Sequence, residues 1–531
     1  MKTRQCIRST AGILIILATL LAVGGCGQFN VQQPQQESNQ PQTLTQDQTQ
    51  GINEGFNEGI NQEGANWEES ALGAAGPSGS PSTPEAATQR DNPLVQEVPA
   101  VVEFVDPNLE RLVRAQLNKP EGEITPVELL ALTEIRGNGA GITSLSGLEY
   151  AMNLTCLELS GNRISDISPL KGLKNLWTLG LEDNQITDLT PLRNLTNLHW
   201  LWVGKNQIGD VAPLAGLIYL ESLTLQDNAI EALEPLAGLT ELTRLNLSNN
   251  HITSLVPLEQ LIKLKELRVS GNSISDVTPL AGLAALEKLY IYSNQIEDIT
   301  PLAFLTNLQI LVAGSNKISD CQPLVRLVNL KEVWIYGNSF SDLTPFTQLP
   351  GLEILVVSYN PITDITPLTR CQGLRSLHIN KIQVTDTSKV NAVLETLPNL
   401  TSVGIGYLHL QDLGKLDFLQ KVPGLQAINV AGNDLRDIDE LKAVPQLNWI
   451  GLNDNRISDI SVLSNMTNLQ WLYLNNNRVS DIGPLVTNIA NGGLGSDSSV
   501  DIRDNKLNLE PGGTDARNIA KLIEAGIQIN Y

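Results

Sequence analysis

The chain has 531 residues and a formal net charge of −22, from 57 acidic and 35 basic residues. Such acidity argues against nucleic acid or anionic lipid as a partner, because both are held by basic surfaces. Five cysteines at unrelated spacings, Cys6, Cys26, Cys156, Cys321 and Cys371, exclude a disulfide framework.

The first predicted element is a targeting segment. Lys2, Arg4 and Arg8 form a basic start, and Ala11–Val23 is almost wholly apolar. These 13 apolar residues fall short of the roughly 20 that a spanning helix needs, so residues 1–25 read as a signal peptide. They end in Leu21, Ala22, Val23, Gly24 and Gly25 before Cys26, which resembles the bacterial lipobox. The resemblance implies that Cys26 is acylated, becomes the new N-terminus and holds the chain at a membrane, each buried CH2 contributing ~0.8 kcal/mol. The alternative is an ordinary signal peptide with an incidental cysteine. No later segment is apolar and long enough to span a bilayer, and no C-terminal wall-sorting motif is present. The expected location is therefore the bacterial cell envelope, exported and lipid-anchored, with the membrane reached through the N-terminal lipid alone.

Residues 26–100 are rich in Gln, Asn, Pro, Gly and Ser, as in Gln32–Gln36 and Gly76–Pro84. They cannot bury enough apolar surface to offset ordering entropy, so a flexible tether with a reach on the order of 50 Å is expected. Two short helical patterns follow over residues 101–130, one after Asp106 and one opened by Thr125-Pro126-Val127-Glu128. They are the expected N-terminal cap of an array.

From Leu154 the chain repeats every 22 residues as Leu-x-x-Leu-x-Leu-x-x-Asn-x-Ile-x-Asp-Ile-x-Pro-Leu-x-x-Leu-x-x. The asparagine slot holds Asn162, Asn184, Asn206, Asn228, Asn250, Asn272, Asn294, Asn316, Asn338 and Asn360, then Asn433, Asn455, Asn477 and Asn505. Period, leucine spacing and asparagine together mark leucine-rich repeats over residues 131–507. The Asp-Ile-x-Pro-Leu half resembles the 22-residue repeats of the internalins, bacterial surface proteins that bind host receptors. That resemblance covers roughly Val102–Tyr531 and departs at the anchor, since many internalins are attached to the wall at the C-terminus. It implies an α/β fold, a right-handed leucine-rich-repeat solenoid with a parallel concave β-sheet.

Each Leu-x-x-Leu-x-Leu alternates at period two, giving a short strand with leucines inward, while Pro-Leu-x-x-Leu returns along the convex side. The asparagine side chain is expected to bond backbone groups of its own and the adjacent coil. Residues 374–424 are irregular, with longer spacing, Ile382 and Leu408 in the asparagine slot, and helical insertions at Val390–Leu397 and Leu413–Leu419. Residues 508–531, with a helical Ala516–Ala525 and an apolar end, read as the C-terminal cap.

Counting from each opening leucine as slot 1, the concave side chains fall in slots 3, 5, 7, 8 and 10. Those slots hold Trp200, Trp202, Tyr290, Tyr292, Trp334, Tyr336, Tyr359, Tyr407, Trp449, Trp471 and Tyr473. Ile310, Val312, Ile354 and Val356 complete an apolar stretch around Trp334. Large exposed apolar patches mark partner sites, and binding hot spots are rich in Trp and Tyr. The competing reading is that aromatic residues pair across strands for stability alone. The expected activity is binding of a protein ligand through this face, or alternatively of a glycan, for which Trp449, Asn453, Trp471 and Asn475 have the more suitable surroundings. Catalysis is not expected. His199, His251, His378 and His409 have no activated nucleophile in line, no metal cluster appears, and no cofactor is implied. The repeated aspartates, such as Asp166, Asp188 and Asp298, read as turn formers rather than calcium ligands.

Overall fold

The computed structural model describes residues 99–384, 386–409 and 417–531. The expected signal peptide, Cys26, nearly all of the expected tether and Leu413–Leu416 of the second insertion lie outside them.

The chain enters through two helices. Helix α1 (Pro107–Gln116) is capped by Asp106, whose carboxylate accepts from the amides of Asn108 and Leu109. Its other oxygen accepts from Thr143 N and Oγ1, both at 2.7 Å, which ties the cap to the first coil. Helix α2 (Pro126–Leu129) is a single turn closed by a reciprocal capping box between Thr125 and Glu128.

Eighteen parallel strands follow among the described residues, β1 (Glu134–Arg136) to β18 (Gln528–Asn530), each paired with the next in chain order. Every strand is three residues long because only the middle side chain points into the core; Leu157, Leu179, Leu201 and their successors are fully buried. After each strand of the regular coils from Leu154 to Arg370 the Pro-Leu segment forms a short 3-10 turn with proline at its start, as at Thr190–Leu192 and Ala212–Leu214. Proline fits there because the first helical amide has no partner to lose. Just before most of these turns an aspartate accepts from the amide two residues on, as at Asp188–Thr190 (2.7 Å) and Asp298–Thr300 (2.7 Å). The repeated aspartates are thus turn formers by geometry.

The asparagine slot lies between these halves. Asn294 Nδ2 donates to Val269 O (3.0 Å) in the preceding coil and to Ile291 O (3.1 Å) in its own, while its Oδ1 accepts from Ile274 N (3.0 Å). The same pattern runs from Asn162 to Asn505. A second amide ladder, not foreseen from the repeat, runs along the opposite turn. Asn153, Asn175, Asn197, Asn307, Asn329 and Asn399 each donate to a carbonyl of the coil before.

In the irregular region, helix α3 (Thr387–Leu394) starts three residues before the expected insertion and is capped by Asp386. Ile382 and Leu408 are buried in place of asparagine, and Asn380 Oδ1 takes over part of that role by accepting from Gly406 N at 2.7 Å. Helix α4 (Gly483–Ala490) occupies the convex side of a late coil. Helix α5 (Thr514–Glu524) and β18 form the C-terminal end, where β18 lengthens the sheet by one strand.

Replacing Asn294 by Ala is expected to cost roughly 1–3 kcal/mol in urea denaturation, because three backbone groups lose their partner. Ile382→Asn should bring no gain, since that site is apolar and closed. A neutral Asn294→Ala would disprove this account of the turn.

Candidate functional site

The outward residues of the strands form parallel rows. Slot 5 carries Tyr290, Val312, Trp334, Val356 and His378 in direct lateral register. Slot 3 carries Ile310 on β9 (Ile310–Val312), Glu332 on β10 (Glu332–Trp334) and Ile354 on β11 (Ile354–Val356). The repeat arithmetic therefore brings together the residues expected to meet.

One expectation fails. Most rings at slots 5 and 7 are not open to solvent: Trp202, Tyr290, Tyr292, Trp334 and Tyr336 are only 2–8% exposed, and Val312, Val356 and Trp449 are also buried. The reason is a set of glycine notches. Tyr336 lies on Gly314 of the preceding coil, Trp202 reaches within 3.3 Å of where a β-carbon on Gly180 would sit, and Trp449 folds over Gly451. Arg268 stacks 4.2 Å above Tyr290. Burial raises the phenol pKa of Tyr292 and Tyr336, so both remain neutral. The rings pave the face and cover one another; they do not stand up from it. A Trp334→Ala variant is consequently expected to lose stability, contrary to what exposed rings imply.

Half-exposed side chains surround this pavement. They are Trp200, Ile310, Ile354, Tyr359, Tyr407, Trp471 and Tyr473. Tyr359 and Tyr407 occupy slot 8, where the backbone is left-handed, with φ of 58° at each. Lys381 sits 5.4 Å over the Tyr359 ring, and Tyr407 Oη donates to Asp454 at 2.7 Å. Trp449 packs 5.4 Å from Tyr473, and Asn453 is buried, so the surroundings favoured for a glycan are largely closed.

Three features escaped the repeat arithmetic. Trp177, His199 and Tyr219 lie outside the concave slots, yet Trp177 packs 4.7 Å from Trp200 and 4.8 Å from His199. The signal was available, because slot 2 elsewhere is polar or charged. Second, Glu182 accepts from Thr224 Oγ1 (2.8 Å) and Gln226 Nε2 (3.0 Å) across two coils. Third, His378 on β12 (Ser376–His378) is buried with Nε2 3.1 Å from Ser376 Oγ and 3.2 Å from Ser402 Oγ. The second serine comes from β13 (Ser402–Gly404), a neighbour that reading slot 5 alone overlooks.

The cysteines carry no activation. Burial, then the nearby Glu158 carboxylate, pushes the Cys156 thiol up to about 12, and burial lifts Cys371 to about 11. Cys321 is likewise a core residue. Asp434 pairs with Arg456 at 2.6 Å. Among the described residues no group of three or more His, Cys, Asp and Glu is placed to hold a metal ion, and no helix is long and apolar enough to cross a membrane.

A family model for leucine-rich repeats in two copies matches residues 153–194, 240–282, 262–304, 284–326, 328–370 and 445–487. Among solved structures, the internalin InlF of Listeria monocytogenes is 32% identical over 67% of this chain and 98% of its own, with a TM-score of 0.55. A leucine-rich-repeat protein of Leptospira interrogans is 21% identical over 76% of this chain and 97% of its own, with a TM-score of 0.52. The functional domain of InlJ from Listeria monocytogenes is 21% identical over 75% and 80%, with a TM-score of 0.50. No curated protein sequence matches the chain.

Burial depresses the His378 pKa to about 4 from an ordinary 6.5, so the native state resists a proton that the unfolded chain accepts. Stability should therefore fall as pH drops through 6.5 towards 4, with roughly 2 kcal/mol lost from this residue between pH 7.5 and pH 5. Urea midpoints of wild type and His378→Gln at the two pH values check this; equal pH dependence in both would rule it out.

Proposed function

The chain belongs to the internalin family of leucine-rich-repeat proteins, and on that premise we propose that it is a cell-surface module that binds a protein partner on its concave face, without catalysis. The observation that carries the reading is the pair Ile310 and Ile354. Both lie half-exposed on strands flanking Trp334, point away from the core, and face a floor of rings already locked in place. Aliphatic side chains on a fixed aromatic floor bury apolar area with little ordering cost, which is what a preorganised binding surface requires. Glu332 lies between the two isoleucines and supplies a charge that helps orient a partner.

Cys26 lies outside the described residues, and its role as the attachment point rests on its sequence context alone. In this reading the lipid holds the chain at the bacterial envelope, and residues 26–100 carry the array away from the membrane. The acidic surface disfavours nucleic acid.

Two measurements test the reading. After a partner is captured with the full chain, Ile310→Ala with Ile354→Ala should weaken binding about tenfold while the melting curve moves little, because both side chains are half-exposed. Trp334→Ala should lower stability by roughly 1–3 kcal/mol and binding as well. Full affinity in the isoleucine double variant would retire the central surface. For the anchor, Cys26→Ala should abolish acyl labelling and leave unprocessed precursor. Normal processing with membrane retention would reject the lipid.

A further inference from the structure

The second amide ladder is interrupted where it borders the central surface. Asn329 donates to Thr306 O at 2.8 Å, and Asn399 donates to Gln372 O at 3.0 Å. The two coils between them carry Gly351 and Gly373 in the same slot. The carbonyls that an asparagine there would meet, Val328 O and Pro350 O, accept no hydrogen bond among the described residues. In the earlier lapse of the column, Tyr219, Glu241, Lys263 and Ala285 still place a side chain in the slot. Here none does.

The result is a solvent-open notch of about 530 Å³, walled by Gly351, Gly373, Glu353, Arg375 and Asn399. Backbone conformation does not require the glycines, since neither has a left-handed φ. A β-carbon on Gly351 would lie 3.6 Å from Leu330 O, an ordinary contact, and one on Gly373 3.2 Å from Leu352 O, a tight one. Glu353 and Arg375 stand 3.9 Å apart in the wall, so their charges offset. Glu353 directly precedes Ile354 in the chain, which makes the notch continuous with the central surface.

We propose that the notch is the polar half of the partner site and takes a carboxamide side chain, Asn or Gln, from the bound protein. This rests on the reading that the concave face binds a protein. The molecule supplies the template, because in six other coils the equivalent carbonyl accepts from an asparagine Nδ2 at 2.7–3.0 Å. The surroundings decide against the other polar side chains. A carboxylate has acceptors only and nothing to give Val328 O or Pro350 O. A lysine or arginine would meet Arg375, with Glu353 already paired. A carboxamide donates through its NH2 to the open carbonyls while its oxygen accepts from Arg375.

The probe is a phage-displayed library of random dodecapeptides panned on the full chain, with selected peptides titrated by calorimetry. Peptides carrying Asn or Gln are expected. Gly351→Asn, which returns an amide to Val328 O, should weaken them about tenfold and raise the urea midpoint. Gly351→Ala, which adds bulk without a donor, should bind them about as tightly as wild type. Exchanging the peptide's Asn for Asp should weaken binding as much as filling the notch does, and this arm holds even if Gly351→Asn proves poorly folded. Peptides indifferent to both changes would overturn the notch; if they are still lost with Ile310→Ala and Ile354→Ala, the central surface stands without it. Loss in Gly351→Asn with full affinity in the isoleucine double variant would keep the notch and retire that surface. Recovery of Lys- or Arg-bearing peptides alone, or of no peptide, would overturn the carboxamide assignment.

Discussion

The regular array depends on the buried amide that closes each of its 22-residue coils. A 22-residue coil has a strand of only three residues and a return made of short turns, so most of its backbone lies outside regular ladders. The polar groups left at the bend are shut off from water by the coils on either side. The asparagine answers them with a carbonyl acceptor and an amide donor facing two coils at once. Where it is missing another group must answer, as Asn380 does beside Ile382, since unsatisfied backbone groups cost about as much as the apolar contacts contribute. With it, each coil presents two outward side chains from a three-residue strand whose register is set by its neighbours.

Much of this was legible before any coordinates. The repeat length and the leucine spacing give the parallel sheet, and the asparagine column gives the bend. Asp106 and Thr125 announce the two capping helices by ordinary N-terminal chemistry. The rows were legible too, because a fixed period turns sequence position into lateral register. What could not be read was how far each side chain leans along its row. Tyr336 and Trp202 are buried because glycines stand next to them in the preceding coil. That information is present in the sequence only as a relation between positions 22 residues apart. Slot-by-slot reading of one coil misses it, and it likewise misses Ser402 beside His378 and Tyr219 beside His199.

The paving changes the meaning of an aromatic column. A ring that stands in solvent is a contact waiting for a partner, and a ring keyed into a notch is first a strut. The half-exposed residues are then the informative ones, because they remain accessible after the floor has closed. Ile310 and Ile354 in the centre, and Tyr219 at the edge, stand out for that reason rather than for size or hydrophobicity.

The second amide ladder also bears on how the array responds to load. A chain held at its N-terminal end and gripped by a partner is pulled along the stacking direction, so adjacent strands peel apart; they do not shear. Each coil released then pays out roughly 70 Å of chain at ~3.3 Å per residue. Where both amide columns are present, a coil is clamped at its two bends. Between Asn197 and Asn307 the second column lapses, with Tyr219, Glu241, Lys263 and Ala285 in its place, and the Glu241–Lys263 ion pair at 2.6 Å supplies an exposed substitute. The first column in turn lapses at Ile382 and Leu408. The second column lapses again at Gly351 and Gly373, next to Ile354, so a tensioned molecule has soft points within the central surface as well as in the coils before and after it.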